Sequence, residues 1–230
     1  MAIIQIWGGG PYHPTRAQSE VLRERLGPMG HEVRYGDDRS VFEPDRLGAA
    51  DLLVLSGLDW SAITNVPPHA WVEPGSRPEQ YEPLADAHFR AIQEHLTAGK
   101  SLLCHHSAII SFDERGEFAE FFDGRWIDGR STHSPYQAFE VHLCDAGHPT
   151  TAGLSDFRIS DELYYNLIEP QRSQVLMEAE FGGRRWPLGW AGQYGNARVL
   201  YSALGHDMQS YASPELQQFL LNGVTWLLDR

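Results

Sequence analysis

Short apolar runs that alternate with helical segments constrain the fold of this chain most. Residues 51–56 read Asp-Leu-Leu-Val-Leu-Ser, and a continuous apolar run of this length is typical of a strand buried on both faces of a parallel sheet. Similar strands are predicted at 3–7 and 101–104. The alternation predicts one three-layer α/β domain over residues 1–230, with helices on both faces of a mainly parallel sheet.

The remaining elements follow from local signals. Thr15 and Gln18 have the spacing of a capping box at the start of the first helix. Ser213 followed by Pro214 marks the start of the last helix. An added β-rich portion is expected at about 123–200. Further strands are predicted at 31–35, 139–143, 175–179 and 198–204, and further helices at 84–98 and 117–122.

Residues 57–82 form a long segment without helical or strand periodicity. This segment contains four prolines and two tryptophans. Loops of this length inside a compact domain are often functional lids. A structural excursion over the sheet edge explains the composition equally well, so both interpretations stay open.

Composition and charge narrow the classes of function. The chain has 18 Lys and Arg against 31 Asp and Glu, a net charge of −13, and this field repels nucleic acids and anionic lipids. The first residues lead directly into a strand, and no apolar run approaches 18 residues. Cys104 and Cys144 form no CxxC motif, which favours a reducing compartment. We expect a cytoplasmic protein without nucleic-acid or membrane partners, and a homodimer stays open.

Three histidine motifs follow directly after predicted strands. His13 comes after a glycine run that follows the first strand, His105 and His106 follow the strand at 101–104, and His206 follows the strand at 198–204. Ligands of open α/β sheets bind beyond the carboxyl ends of the strands. Imidazole binds transition metals and transfers protons near pH 7. The three motifs therefore predict one site at this edge of the sheet.

The turn after the strand at 101–104 allows several interpretations. A nucleophile elbow needs small residues two positions on either side of the nucleophile. Cys104 does not meet this rule, and His105 meets it only through Ser107. Because His105 and His106 are adjacent, they cannot point the same way, and we expect His105 to face the cleft. The glycine run at 8–10 matches neither GxGxxG nor a P-loop, so no nucleotide is expected.

Carboxylates and a phenol follow a strand-like segment at 157–160. Asp161 and Glu162 are candidates for a base or for metal ligands, and Tyr164 is a candidate proton donor. A capped turn with a solvated acidic pair is the alternative. Asp207, directly after His206, is a candidate to orient a general base. The remaining histidines in this part of the chain, at 133, 142 and 148, are interpreted as structural.

Taken together, these motifs resemble the trehalose-utilization (ThuA-like) family along nearly the whole chain. The matching segments are Gly-Gly-x-x-His at 9–13, Leu-x-His-x-Ser at 103–107, Gly-His-Pro at 147–149, Asp-Glu-Leu-Tyr at 161–164, the stretch from Tyr194 to Asp207, and Leu-Asn-Gly-Val-x-Trp at 221–226. The resemblance implies a flavodoxin-like fold of the class I glutamine amidotransferase type. It also implies that the amidotransferase cysteine is absent, with His105 in its place, so no glutamine amidotransferase activity is expected.

The resemblance further implies a role in carbohydrate metabolism. In this family the site would comprise His13, His105, Glu162, Tyr164 and His206, with Asp207 and Tyr211 nearby. The family suggests a divalent metal, zinc, manganese or iron, held here by His13, His105 and His206. Catalysis is then expected from His105, Glu162, Tyr164 and Asp207.

Three hypotheses about function follow. The first is an enzyme that acts on a sugar or keto-sugar, either by proton abstraction next to a carbonyl or by metal-assisted hydrolysis. Trp60, Trp71 and Trp186 are candidate platforms for the sugar or ordinary packing residues. The second hypothesis is a non-catalytic sugar-binding or partner-subunit module on an amidotransferase scaffold. The third is a cysteine hydrolase that uses Cys104 with His206.

Overall fold

The computed structural model describes residues 1–10, 12–61, 81 and 83–229. Most of the segment at 57–82, including Trp71, lies outside these residues, so the choice between a lid and a structural loop stays a prediction. In the described part of the chain, no helix has the length and apolarity needed to cross a membrane.

Strands and short helices alternate along the described residues. The strands are β1 (Ile3–Trp7), β2 (Glu32–Gly36), β3 (Leu52–Leu55), β4 (Ser101–His105), β5 (Thr132–His133), β6 (Gln137–Leu143), β7 (Phe157–Asp161), β8 (Tyr164–Tyr165), β9 (Gln174–Phe181), β10 (Arg184–Tyr194) and β11 (Ala197–Ser202). The helices are α1 (Thr15–Leu26), α2 (Pro44–Gly48), α3 (Asp86–Thr97), α4 (Met208–Tyr211) and α5 (Pro214–Leu228).

One large sheet organises the chain. Among the described residues it has nine strands in the order β2-β1-β3-β4-β11-β10-β9-β6-β7. The first five strands are parallel, and the last four continue the sheet in antiparallel pairing. An order of 2-1-3-4-5 in the parallel part is that of flavodoxin-like folds. The predicted α/β class is confirmed, and the expected β-rich portion is an extension of the same sheet.

The helices form two groups. Helices α1, α4 and α5 contact one another, and α2 contacts α3. Right-handed crossovers between parallel strands place such groups on opposite faces of a sheet, which gives the predicted three layers. All four residues of β3 are buried, as its continuous apolar run predicts. The start of α5 is also confirmed, because the Ser213 side chain accepts a hydrogen bond from the Leu216 amide and Pro214 occupies the first turn.

Two local predictions were wrong, and the first error has a tertiary cause. The capping box at Thr15 and Gln18 is absent, since α1 has no side-chain cap. Thr15 Oγ1 instead donates to the Gly8 carbonyl at 2.8 Å, and Gln18 Nε2 donates to the Gly205 carbonyl at 2.7 Å. The helix predicted at 117–122 is a short 3₁₀ segment, Gly116–Glu120.

No prediction anticipated β10, the longest strand among the described residues. Pro187 and two glycines interrupt its apolar pattern, and proline within a run ordinarily argues against a strand. The pairing with β9 shifts register between Pro187 and Gly189. A β-bulge of this kind accommodates a residue that cannot donate to the ladder.

Candidate functional site

Three imidazoles meet at the carboxyl edge of the parallel strands. One ring nitrogen from each of His13, His106 and His206 lies within 4.8 Å of the other two. The ring centroids are separated by 4.8 Å for His13 and His106, and by 5.2 Å for His13 and His206. We call these three residues the histidine centre. The expectation that motifs after separate strands share one edge of the sheet agrees with this geometry.

The structure places His106, rather than His105, in the histidine centre. His105 is the last residue of β4. Its Nδ1 lies 3.2 Å from the Oγ atom of Ser56, which directly follows the neighbouring strand β3. Its ring lies 5.7 Å from that of Tyr211, beneath the site, and burial lowers the pKa of His105 to about 4. The expectation that His105 faces the cleft is therefore corrected.

The physical reason is the backbone conformation of His106. This residue has a φ of 49°, in the left-handed region, so the chain turns sharply directly after β4. The elbow rule applied to His106 gives Cys104 and Ala108 at the flanking positions, and both are small and fully buried. This signal was available in the sequence and identifies His106 as the residue at the elbow.

Cys104 is a buried residue of β4. Its side chain has no solvent exposure, and burial raises the pKa of its thiol well above the ordinary value. A thiolate nucleophile needs the opposite shift. Both observations disfavour a cysteine hydrolase built on Cys104.

Hydrogen bonds fix the protonation and orientation of His106. Its Nδ1 lies 2.7 Å from the Ala203 carbonyl, which only accepts, so Nδ1 carries the proton. The Tyr164 hydroxyl lies 2.9 Å from Nε2 and donates to it. Burial, followed by the neighbouring imidazoles of His13 and His206, lowers the pKa of His106 well below its usual value. His106 is thus a neutral imidazole whose Nε2 lone pair accepts the hydrogen bond from Tyr164.

His13 and His206 have different surroundings. His13 Nδ1 lies 3.1 Å from Ser107 Oγ, and burial together with nearby histidines lowers the pKa of His13. Burial also acts to lower the pKa of His206, but the carboxylate of Glu162 and further acidic groups outweigh it, so the pKa rises overall. His206 is therefore the member of the histidine centre that is most readily protonated.

Glu162 is shared between two histidines. Its Oε2 lies 3.2 Å from His206 Nδ1, and its Oε1 lies 3.3 Å from His133 Nδ1. The Glu162 side chain is 15% exposed and that of His133 is 47% exposed. No sequence motif pointed to His133, which reaches the site because β5 pairs with β8, with His133 opposite Tyr164.

Asp161 holds the loop that carries His206. This carboxylate accepts hydrogen bonds from the backbone amides of Gly205 at 2.7 Å, Glu162 at 2.8 Å and His206 at 3.3 Å. Burial raises the pKa of Asp161 to about 7, although these bonds act in the other direction. Asp161 is thus a supporting residue, whereas its neighbour Glu162 lies beside the histidine centre.

Asp207 is the N-cap of α4. Its Oδ1 accepts from the Ser210 amide at 2.8 Å, and the Asp207 amide donates to Ser210 Oγ at 3.1 Å. The Tyr136 hydroxyl also donates to Asp207 Oδ1, at 3.0 Å. The structure therefore gives Asp207 a capping role next to His206.

Trp186, one of the candidate platforms for a sugar, is a packing residue whose indole N–H donates to the Phe181 carbonyl.

The donor set fits a divalent transition metal. Neutral imidazoles are the form that binds metal ions, and three histidines with an open position form a known type of catalytic site. A backbone carbonyl behind His106 and a carboxylate behind His206 match the groups that usually orient metal-binding imidazoles.

Solved structures share this fold. A ThuA-like protein from Parabacteroides merdae has a TM-score of 0.75 and 22% identity, covering 99% of this chain and 90% of its own. A protein from Salmonella typhimurium LT2 described as cytoplasmic has a TM-score of 0.65 and 17% identity, covering 99% of both chains. A glutamine amidotransferase from Thermotoga maritima has a TM-score of 0.50 and 11% identity, covering 99% of this chain and 88% of its own. The fold is thus of the glutamine amidotransferase-like class.

The sequence identifies the family within this class. The family model for ThuA, trehalose utilisation, matches residues 4–227. The chain belongs to the ThuA family, as the motifs implied. Among proteins with curated descriptions, none matches the chain.

Proposed function

We propose that this protein is an enzyme of carbohydrate metabolism that acts on a sugar or keto-sugar at the histidine centre. The observation that carries the proposal is the convergence of His13, His106 and His206 beside the carboxylate of Glu162. The description of the family as trehalose utilisation supports a sugar as the substrate class.

His13, His106 and His206 would hold a divalent metal, with zinc, manganese and iron as candidates. At His106 the metal would replace the Tyr164 hydroxyl as the partner of Nε2, because Nδ1 donates to the Ala203 carbonyl. Such a metal supplies Lewis-acid activation of a carbonyl or water oxygen when bound. These ligands replace the set with His105 that the sequence suggested. His105 instead packs against Tyr211 and contacts Ser56, next to the turn.

Glu162 is the residue we assign to proton transfer. It lies beside His206 and is only partly exposed, so it is placed to take a proton from a sugar carbon next to a carbonyl or from water. Burial and the neighbouring carboxylate of Glu162 raise the pKa of Tyr164 well above its usual value. The phenol therefore stays protonated, and its proton, which the structure directs to His106 Nε2, would be free to be donated to a substrate oxygen once a metal occupied that nitrogen.

The elbow residue argues against glutamine hydrolysis. The strained residue of the turn after β4 is His106, and not His105, which the resemblance put in place of the amidotransferase cysteine. The same observation favours the alternative, a non-catalytic sugar-binding or partner-subunit module on this scaffold. Turnover of a sugar or keto-sugar by the metal-loaded protein separates the two functions.

The experiment that tests the proposal is a measurement of bound metal in protein purified without a histidine tag. We compare wild type, His106→Ala and the matched neighbour His105→Ala, each after incubation with zinc, manganese or iron(II) and removal of free metal. We expect one metal ion per chain in wild type and in His105→Ala, and none in His106→Ala. Circular dichroism melting checks that each variant is folded.

Two results would contradict the metal centre. One is a wild-type protein that retains none of the three metals. The other is a His106→Ala variant that binds metal as wild type does.

The description of the Salmonella relative as cytoplasmic supports a cytoplasmic location for this chain. The net charge of −13 supports small-molecule rather than nucleic-acid or membrane partners.

A further inference from the structure

An exposed aromatic side chain lies beside the histidine centre. Tyr136 is 37% exposed, and its ring centroid lies 5.9 Å from that of His206, with 54° between the ring planes. Among the exposed large apolar side chains of the described residues, Tyr136 is the aromatic one. A large ring at the mouth of a site offers apolar area to a ligand at little cost in conformational entropy.

The position of Tyr136 is fixed before any ligand arrives. Its hydroxyl donates to Asp207 Oδ1 at 3.0 Å, and Asp207 is itself held as the cap of α4. Two residues earlier, the Ser134 amide donates to the Leu163 carbonyl at 2.8 Å, and the Leu163 amide donates to Ser134 Oγ. On the other side of Tyr136, Gln137 begins β6 and pairs with Asp161 of β7, so the segment that carries the ring is held at both ends, which preorganises the ring.

The polar groups around this ring match a neutral sugar. Asp207 lies beside Tyr136, Glu162 lies beside His206, and His133 lies beside Glu162, and these groups accept or donate hydrogen bonds as sugar hydroxyls require. A pyranose has an apolar face of C–H groups and an edge of hydroxyls. The carboxylates of Asp207 and Glu162 and the net charge of −13 oppose binding of a phosphate group on the sugar, and one divalent ion in the histidine centre offsets only part of this charge.

We propose that Tyr136 is a substrate-binding residue whose ring stacks on the apolar face of an uncharged hexopyranose, with the hydroxyl edge of the sugar directed toward Glu162 and His206. This inference rests on the proposed function and names the substrate class of the same site. It assigns Tyr136 to recognition and leaves metal binding to the histidine centre.

The test is a calorimetric titration of the metal-loaded protein with trehalose. We compare wild type with Tyr136→Ala, which removes the ring, and with Tyr136→Phe, which keeps the ring and loses the bond to Asp207. Met208→Ala is the matched control, because Met208 is 38% exposed and directly follows Asp207. Metal content and melting temperature are measured for every variant.

We expect Tyr136→Ala to weaken trehalose binding about tenfold, and Tyr136→Phe and Met208→Ala to change it by less than about threefold. Trehalose 6-phosphate should bind wild type more weakly than trehalose. If trehalose binds wild type but Tyr136→Ala binds it equally well, the role of Tyr136 is refuted and the proposed function stands.

Tighter binding of the sugar phosphate would overturn the uncharged substrate class. If neither trehalose, glucose and sucrose nor their 3-keto derivatives bind wild type, the carbohydrate function itself fails, and Tyr136 loses its assigned role with it. The wild-type titration therefore distinguishes failure of the inference from failure of the function.

Discussion

The parallel and the antiparallel halves of the sheet contribute different chemistry to the site. The parallel half ends in the three imidazoles of His13, His106 and His206. The segments attached to the antiparallel half bring the carboxylate of Glu162 and the exposed ring of Tyr136. The parallel half thus carries the histidine centre, whereas the carboxylate and the ring that we propose to contact the substrate come from the extension.

The two halves also differ in burial. Every residue of β3 is buried, whereas β6 alternates between buried and exposed positions along part of its length. Strands covered on both faces give continuous apolar runs, and strands with one solvated face do not. Local sequence patterns therefore specify the parallel half more completely than the extension.

The largest expected effect comes from the contact that joins the halves. Asp161, at the end of β7, accepts bonds from the amides of Gly205 and His206. Asp161→Ala leaves these buried donors without an acceptor, and we expect a loss of about 3 kcal/mol in the free energy of unfolding. Asp161→Asn keeps one acceptor oxygen and should recover part of that loss. Urea denaturation of both variants measures the effect.

Asp156 provides the matched control at the other end of β7. It accepts from the Leu143 amide but is exposed to solvent. Asp156→Ala should therefore leave the free energy of unfolding close to that of wild type. Equal losses of unfolding free energy in Asp161→Ala and Asp156→Ala would show that the bonds from Asp161 to the Gly205 and His206 amides stabilise the protein no more than an exposed carboxylate does.

The second prediction concerns the packing beneath the histidine centre. Gly205 has a φ of 114°, and a Cβ at this position would lie 2.4 Å from His105 Nε2. Gly205→Ala combines backbone strain with a clash against a buried ring, and we expect a loss of about 2 to 3 kcal/mol in the free energy of unfolding. Gly195→Ala is the control, because its φ is 57° but no atom lies within 4 Å of the added Cβ.

For Gly195→Ala the expected loss is about 1 kcal/mol, from backbone strain alone. Thermal unfolding of the two variants under the same conditions gives the comparison. A Gly205→Ala protein as stable as the Gly195→Ala protein would mean that His105 moves freely, which contradicts its assigned place as a packed support.

The fold and two of the three residues of the histidine centre could be predicted from the sequence. Positions directly after buried parallel strands share one edge of the sheet, so His13 and His206 were expected together. The choice between His105 and His106 needed the left-handed turn at His106. The small flanking residues Cys104 and Ala108 carry that information, but only when the elbow rule is applied to His106.

Other parts of the site could not be predicted from local patterns. His133 reaches Glu162 through the pairing of β5 with β8, whose residues lie about thirty positions apart along the chain. Tyr136 is placed by a hydrogen bond to Asp207, which belongs to a distant helix cap. Periodicity reports the face of an element that is buried, and it carries no information about which distant segments pair.

The smallest expected effect separates the two partners of Glu162. Glu162→Gln removes the charge beside His206, and we expect the affinity for zinc to fall about tenfold, as found for groups that orient metal-binding imidazoles. His133→Ala removes the outer partner of the same carboxylate, and a change below about threefold is expected, because His133 is nearly half exposed. Competition with a chelator of known zinc affinity measures both changes.

The ranking of these two variants tests how far the extension controls the histidine centre. If the position of Glu162 beside His206 does not depend on His133, His133→Ala leaves zinc affinity unchanged, and only substrate binding can change. If the two variants weaken zinc binding equally, Glu162 depends on His133 for its position, and the second half of the sheet then contributes to metal binding as well as to recognition. If neither changes it, the carboxylate does not support His206, and its remaining role is contact with the substrate.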